Sequence, residues 1–530
     1  MKNNNSNDTI LSENSQRNTG KTAQRMNILA AKLVAEAVRT TLGPKGMDKM
    51  LVDTLGEIIV TNDGVTILKE MDVEHPAAKM IIEVAKTQEE EVGDGTTTAV
   101  ILAGELLRKA EQLLDQNIHA TIITKGYQMA AEQSIKILNN MAKDTDEETL
   151  KKICETAMTG KGSEDSKETL SKLLIKATKI LSNETESLRE KIIIQKKTGT
   201  TIKDSELIKG LVIDKEKTHS SMPKKITNAK IALIESPIEV KSTDIDTKIT
   251  INDPAKIQEF LDVEEKMIKN MINKITETNA NVIFCQKGID DLAQHLLQKK
   301  GIYACRRVKK SDMAKIAQAT GASLISDIND IKPEDLGTAG TIKEVKVNEE
   351  HMTYIEDCTN TKIVTILVRG TTTHIVEEAA RAAEDALGDI ATALKEKKAV
   401  GGAASTEILL SKKLKEYSQE LNGREQLAVQ AFSESLEIIP KTLAENAGLD
   451  PIDVLTELNS NLNKITWPGI NITTGKVIDA WEAGIIEPLK TKTQAIMSST
   501  EVATMILRID DVILANTNNK QQNQPDIDNI

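Results

Sequence analysis

Two spacings of apolar residues alternate along this chain. From Ala23 to Leu42, the residues Met26, Leu29, Ala30, Leu33, Ala37 and Val38 return every three or four positions. That spacing predicts an amphipathic helix with this face buried. It is expected to stop at Gly43-Pro44, since glycine takes the turn after a helix and proline cannot continue one. Met50-Leu51-Val52 and Ile58-Ile59-Val60 flank Leu55-Gly56 and read as two short strands. Thr61-Asn62-Asp63-Gly64 reads as a turn with a carboxylate in it. Helical spacing then covers roughly residues 76–90, 97–115, 119–141, 144–160 and 165–181.

The pattern changes near Leu211. Ile231-Ala232-Leu233-Ile234, Val282-Ile283-Phe284-Cys285, Ile302-Tyr303-Ala304-Cys305 and Ser323-Leu324-Ile325 read as strands, and helical stretches near 289–299 and 311–319 separate the last three. Strand–helix–strand alternation predicts a small, largely parallel α/β domain. Inserted before it is Lys241 to Ile275, with a helical stripe of Ile257, Phe260, Leu261, Met267, Ile268, Met271, Ile272 and Ile275 among many charges. Most of that stripe is expected to pack against its own domain. Further strands are predicted at Ile342 to Val347 and Ile363 to Val368, then a long helix from about His374 to Lys397, then mostly helix to Leu462. The fold class is a multidomain α/β protein. Residues 1–20 and 516–530 are rich in Asn, Ser, Gln and Asp, and are expected to be disordered. No internal repeat is found.

Composition narrows the function. The length of 530 residues suggests about three domains. Aromatic residues make up only 2%, so the core must be aliphatic. The net charge, 68 − 80 = −12, argues against a general nucleic-acid binder. No apolar run approaches the ~20 residues of a membrane span, and no secretory h-region is seen, so a cytoplasmic protein without stable membrane association is expected. Cys154, Cys285, Cys305 and Cys358 form no C-x-x-C pair, and the six histidines form no H-E-x-x-H motif. Reduced core thiols are expected rather than a zinc site. Gly20-Lys21-Thr22 imitates the end of a Walker A loop, but Ser15 stands where that loop needs glycine, and no strand is predicted before it.

The stretch richest in chemistry is Glu89-Glu90-Glu91-Val92-Gly93-Asp94-Gly95-Thr96-Thr97-Thr98. Its glycines permit a tight turn, and its threonines stand where the next helix should begin. A helix N-terminus among small residues suits a phosphate. A lone carboxylate beside it suits a Mg²⁺ held otherwise by phosphate oxygens and water. Taken alone, the stretch reads better as a capped helix after a turn.

Other motifs decide between these readings. Thr41-Leu42-Gly43-Pro44-Lys45-Gly46-Met47-Asp48-Lys49-Met50-Leu51-Val52-Asp53, Thr61-Asn62-Asp63-Gly64-Val65-Thr66-Ile67-Leu68, His75-Pro76-Ala77-Ala78-Lys79, Gly93-Asp94-Gly95-Thr96-Thr97 and Arg508-Ile509-Asp510-Asp511-Val512-Ile513 resemble, in order and spacing, the signatures of the group II chaperonins. The likeness runs from about residue 21 to about 515. It implies a mostly helical equatorial domain from 21–145 and 401–515, a small intermediate α/β domain from 146–212 and 369–400, and an apical α/β domain from 213–368 with a helical lid protrusion at about 241–275. It also implies a double ring of like or unlike subunits, driven by ATP and Mg²⁺, that encloses and folds non-native proteins.

By the same resemblance, Thr41, Leu42, Gly43, Pro44, Gly95, Thr96, Thr97 and Thr98 would contact nucleotide. Asp94 would hold the metal, Asp63 and Asp385 would polarise the attacking water, and Lys161 would sense the γ-phosphate. Gly401 and Gly402 would approach the sugar, and Asp479 or Glu482 the adenosine. The chain departs from the family at Ala403 and Ala404, which stand where two glycines are expected, and at Gly370-Thr371-Thr372 in place of Gly-Gly-Thr. Alanine reaches positive φ only at a cost. The departure motivates a second reading, a ring-forming holdase or structural paralogue with weak or no ATPase activity. A small-molecule kinase or ligase is a third, without a matching motif set.

Overall fold

A computed structural model describes residues 16–52, 56, 58–160, 164–181, 188–240, 254–348, 350–360 and 362–514. The chain divides into two compact units. One comprises Met1–Glu164 with Asp385–Ile530, the other Asp165–Glu384.

The first unit is built on helices. Thr96–Asp115 lies at its centre, because the run Ala99-Val100-Ile101-Leu102-Ala103 leaves its first half no polar side. Gly20–Arg39, Pro76–Glu91, Ala120–Met141, Glu425–Leu436 and Leu489–Leu507 pack around it. Pro76 opens its helix at the position where a missing N–H costs nothing. Tyr127 donates to the Leu106 carbonyl at 2.8 Å and packs edge-on against Phe432.

The first helix runs Gly20–Arg39, but it buries a different face from the one expected. Met26, Leu29 and Leu33 are 43%, 54% and 62% exposed, whereas Ala23, Ile28, Ala31, Val34, Ala35 and Val38 are buried. Spacing alone could not choose, because the helix carries two apolar stripes. The close crossing with Thr96–Asp115 selects the small one: a Cβ on Gly104 would stand 2.3 Å from the Ala35 methyl, so position 104 must be glycine for Ala35 to pack there.

Lys49–Val52 and Ile58–Thr61 are strands, as predicted, and they pair antiparallel. Gln16–Thr19, expected in a disordered arm, is a strand that pairs antiparallel with Asp511–Leu514. Its partner lies almost 500 residues away, so no local pattern marks it. The glycine that a Walker A loop would need is still absent at Ser15.

The second unit carries a sheet that is mixed rather than largely parallel. Lys225–Ile234, Val282–Cys285, Tyr303–Cys305 and Leu324–Ile325 pair parallel. Gly337–Val347, Glu350–Cys358 and Gly210–Ile213 extend the sheet antiparallel. The strand Glu350–Cys358 was not foreseen, since its Glu and Asp residues break the apolar run. Period-two alternation serves both faces. Ile231, Leu233 and Phe284 join Met313 and Ile316 of helix Lys310–Thr320. Ala232, Ile234 and Ile283 join Ile268, Ile272 and Ile275 of helix Pro254–Glu277. These three isoleucines therefore pack inward as expected, while Val263 and Met267 of the same helix are exposed. Residues 241–253, and the side chains of Ile257, Phe260 and Leu261, lie outside the described residues. Ile192–Thr198, Val364–Gly370 and Glu206–Ile208 make a separate three-stranded sheet.

Candidate nucleotide-binding site

All the described candidate residues lie in the first unit. The loop after Gly20–Arg39 comes first. Thr41 donates to the Val38 carbonyl, and Asn446 donates to the carbonyls of Arg39 and Leu42. These bonds anchor the loop from beneath. Gly43 takes φ +82°, and Pro44 is exposed. Gly160 packs directly on Pro44, where a Cβ would stand 2.4 Å from the proline Cα, and its carbonyl accepts from Asn62. The Gly43-Pro44 loop, the Asn62-Asp63 turn and the segment just before Lys161 therefore meet. Lys161 itself lies outside the described residues.

Asp63 caps the helix Gly64–Glu70. Its Oδ2 accepts from the Thr66 amide at 2.8 Å and the Thr66 hydroxyl at 2.6 Å. The turn touches the next wall, since a Cβ on Gly64 would stand 2.5 Å from Thr97 Oγ1. Thr97 is the second residue of the Thr96–Asp115 helix. That helix starts from Gly95 at φ +79°, and no side chain caps it. Its first amides are thus not bonded by a cap, the arrangement that attracts an anion. Asp94 precedes them, half-buried, and its carbonyl accepts from Gln88 Nε2 at 2.8 Å.

The opposite wall is the loop 401–404. Gly402 donates its amide to Ile485 O, and a Cβ on it would stand 2.7 Å from Glu487 Oε1. Ala403 and Ala404 occupy the left-handed region at φ +53° and +61°. The loop has not shifted to spare them that conformation. Ala404 is 3% exposed in the core, and the Ala403 methyl packs over Gly469, where a Cβ would stand 2.9 Å away.

Asp479 is engaged by its own turn. It accepts from the amides of Trp481 and Glu482 through Oδ1 and from the Trp467 amide through Oδ2. Glu482 is exposed. Glu487 is the carboxylate that abuts Gly402, and sequence reasoning missed it. The available signal was a lone acid in the apolar run Ile485-Ile486-Glu487-Pro488-Leu489.

Asp385 sits half-buried on the helix Thr373–Glu396, one turn before the buried Asp389. Asp389 accepts from Thr491 Oγ1 at 3.2 Å.

A buried lysine lies between two carboxylates beside the loop 401–404. Lys492 Nζ lies 2.8 Å from Glu407 and 2.6 Å from Glu487. Burial pushes the Glu487 carboxyl above its ordinary range, and the nearby charges of Glu407 and Asp94 push the same way against Lys492. Glu407 Oε2 is buried without a partner. Among the described residues no group of three His, Cys, Asp or Glu could hold a metal alone.

The model of the TCP-1/cpn60 chaperonin family matches residues 34–517. The chain belongs to this family. It is 57% identical over 514 residues to the thermosome subunit beta of Methanothermobacter thermautotrophicus, covering 97% of this chain and 96% of that one. It is 58% identical to the thermosome subunit beta of Archaeoglobus fulgidus, covering 96% of this chain and 94% of that one. Among solved structures it is similar to the open-state monomer of a group II chaperonin from Methanococcoides burtonii, with a TM-score of 0.61 and 45% identity, covering 79% of this chain and all of that one. The chaperonin fold class expected from the sequence is therefore the right one. As a chaperonin subunit the chain works as an ATP-dependent folding machine and assembles with other subunits into a ring. The holdase reading is not favoured.

Proposed function

We propose that ATP with Mg²⁺ binds between the Gly43-Pro44 loop, the Asp94–Thr98 helix start and the Gly402 loop, and is hydrolysed there to drive enclosure of a non-native protein. The observation that carries this reading is the uncapped start of Thr96–Asp115 set against Gly64, with Asp94 beside it. Amides there cradle phosphate oxygens, with Thr96, Thr97 and Thr98 supplying hydroxyls. Asp94 is the protein's ligand for the metal, which neutralises charge building on the phosphates. Asp63 and Asp385 orient the attacking water and accept its proton. Lys161 completes the phosphate end. Glu487, beside Gly402, accepts from hydroxyl groups of the sugar, because a carboxylate only accepts. Asp479 supports this end by holding the Trp467 and Trp481 segment.

The division into equatorial, intermediate and apical domains is part of the same reading, as are the cytoplasmic location and the absence of nucleic-acid and membrane partners. No helix among the described residues is long and apolar enough to cross a membrane. The strands Lys49–Val52 and Ile58–Thr61 form a two-stranded sheet, and their Met50, Val52 and Ile58 are exposed. An isolated hairpin is marginal in water, which suits a surface meant for a neighbouring subunit. Val263 and Met267 on Pro254–Glu277 supply exposed apolar contact for the lid and the client.

The test is ATP turnover by purified double rings, with and without Mg²⁺, imaged in parallel with and without ATP. Turnover that needs Mg²⁺ and disappears in Asp94→Ala, together with rings that close on ATP, supports the reading. Rings that bind nucleotide and never turn it over would sink it.

A further inference from the structure

The helix Leu489–Leu507 begins with an expensive arrangement. Thr491 and Lys492 are both buried in its first turn. A cation near a helix N-terminus opposes the helix dipole, and a buried ion pair seldom adds net stability. Such a feature suggests a role in geometry rather than in stability.

Three contacts of Thr491 lead to two parts of the site. Its hydroxyl donates to Asp389, one turn beyond Asp385 on the same helix. Its carbonyl accepts from Gln88 Nε2 at 3.2 Å, and that same nitrogen donates to the Asp94 carbonyl at 2.8 Å. Its methyl lies 2.9 Å from where a Cβ on Gly95 would be, so it also limits the turn that starts the phosphate helix. Gln88 is fully buried at the end of Pro76–Glu91, and its Oε1 has no partner, so the amide is aimed by its donor side alone. Lys492, clasped by Glu407 and Glu487, fixes the turn from which Thr491 reaches out.

We propose that Thr491 is a positioning residue for ATP hydrolysis: it ties the loop carrying Asp94 to the helix carrying Asp385, through Gln88 on one side and Asp389 on the other. This rests on the assignment of Asp94 and Asp385 given above. The two carboxylates come from chain segments 291 residues apart. Their relative placement decides whether the attacking water and the phosphate meet in line. A threonine that only filled the core would have no reason to bond to both Asp389 and Gln88.

The test compares Thr491→Val, which keeps the shape and removes the hydroxyl, with Thr491→Ser, which keeps the hydroxyl, both as assembled rings. For Thr491→Val we expect kcat to fall about tenfold, the effect of one lost positioning hydrogen bond. KM for ATP, and the affinity for a non-hydrolysable analogue measured by calorimetry, should stay within about twofold. Thr491→Ser should recover most of kcat. Wild-type kcat in Thr491→Val would overturn the proposal. So would kcat, analogue affinity and unfolding midpoint falling together in both variants, the signature of a merely structural residue. Asp94→Ala is run alongside. If it keeps Mg²⁺-dependent turnover, the site assignment fails, whatever Thr491→Val does.

Discussion

Replacing Ala403 and Ala404 by glycine tests whether this chain's departure from the family has a consequence. Both alanines sit near φ +60°, where an L-residue costs about 1–2 kcal/mol relative to the right-handed region. Glycine removes that strain but adds about 0.4–1 kcal/mol of unfolded-chain entropy. It also deletes a methyl, and the one on Ala404 is buried, worth about 0.8 kcal/mol. For Ala404→Gly, strain of about 1.5 less roughly 0.7 and 0.8 leaves about zero. Ala403 is half-buried, so Ala403→Gly should gain only about 0.4 kcal/mol.

Denaturant unfolding followed by tryptophan fluorescence reads the right place. The chain has two tryptophans, Trp467 and Trp481, stacked with centroids 6.3 Å apart, and Trp467 packs against Gly401. Because both methyls face protein, analogue affinity in the double variant should change less than about twofold, under ~0.4 kcal/mol. A gain of about 3 kcal/mol would show uncompensated strain. Binding tightened about tenfold would show that the methyls obstruct the nucleotide. Either result refutes the cancellation argued above.

The remaining expectations use other features. Asp63→Asn should keep the helix cap and lose turnover, whereas Asp63→Ala should lose turnover and also about 1 kcal/mol of stability; an active Asp63→Asn would remove Asp63 from the chemistry. Lys217 and Glu344 form an ion pair with both side chains only 6% exposed, and Lys217→Met should destabilise the second unit by about 3–5 kcal/mol by stranding the buried carboxylate, measured by urea unfolding. The raised Glu487 carboxyl binds its proton more tightly folded than unfolded, so its contribution to stability is present at acid pH and is lost as pH rises through the raised value. Glu487→Gln should therefore gain stability over the wild type as pH rises from 4.5 to 8, and a gap independent of pH would contradict the shift.

Legibility followed the range of the interactions. The helix starts near Pro76 and Thr96 and the Gly93-Asp94-Gly95 turn are written in adjacent residues, and propensity and capping act over one turn; the first helix ends at Arg39, three residues before the Leu42 expected from Gly43-Pro44. The strand Gln16–Thr19 and the inward face of Gly20–Arg39 depend on partners far along the chain, and no local period encodes them. The site divides in the same way. Asp63, Asp94 and the threonines could be proposed from sequence because each combines a turn with a carboxylate or a helix start. Gln88 and Thr491 were invisible because nothing near them in sequence distinguishes an amide or a hydroxyl that caps a helix from one that joins two segments 403 residues apart. Ala403 and Ala404 are the converse case. Sequence marked them as a fault, but Gly469 opposite Ala403 leaves room for its methyl, and the core around Ala404 takes up the other. The left-handed loop survives in alanine because packing returns about what the backbone loses, and that balance is visible only once both sides of the loop are in place.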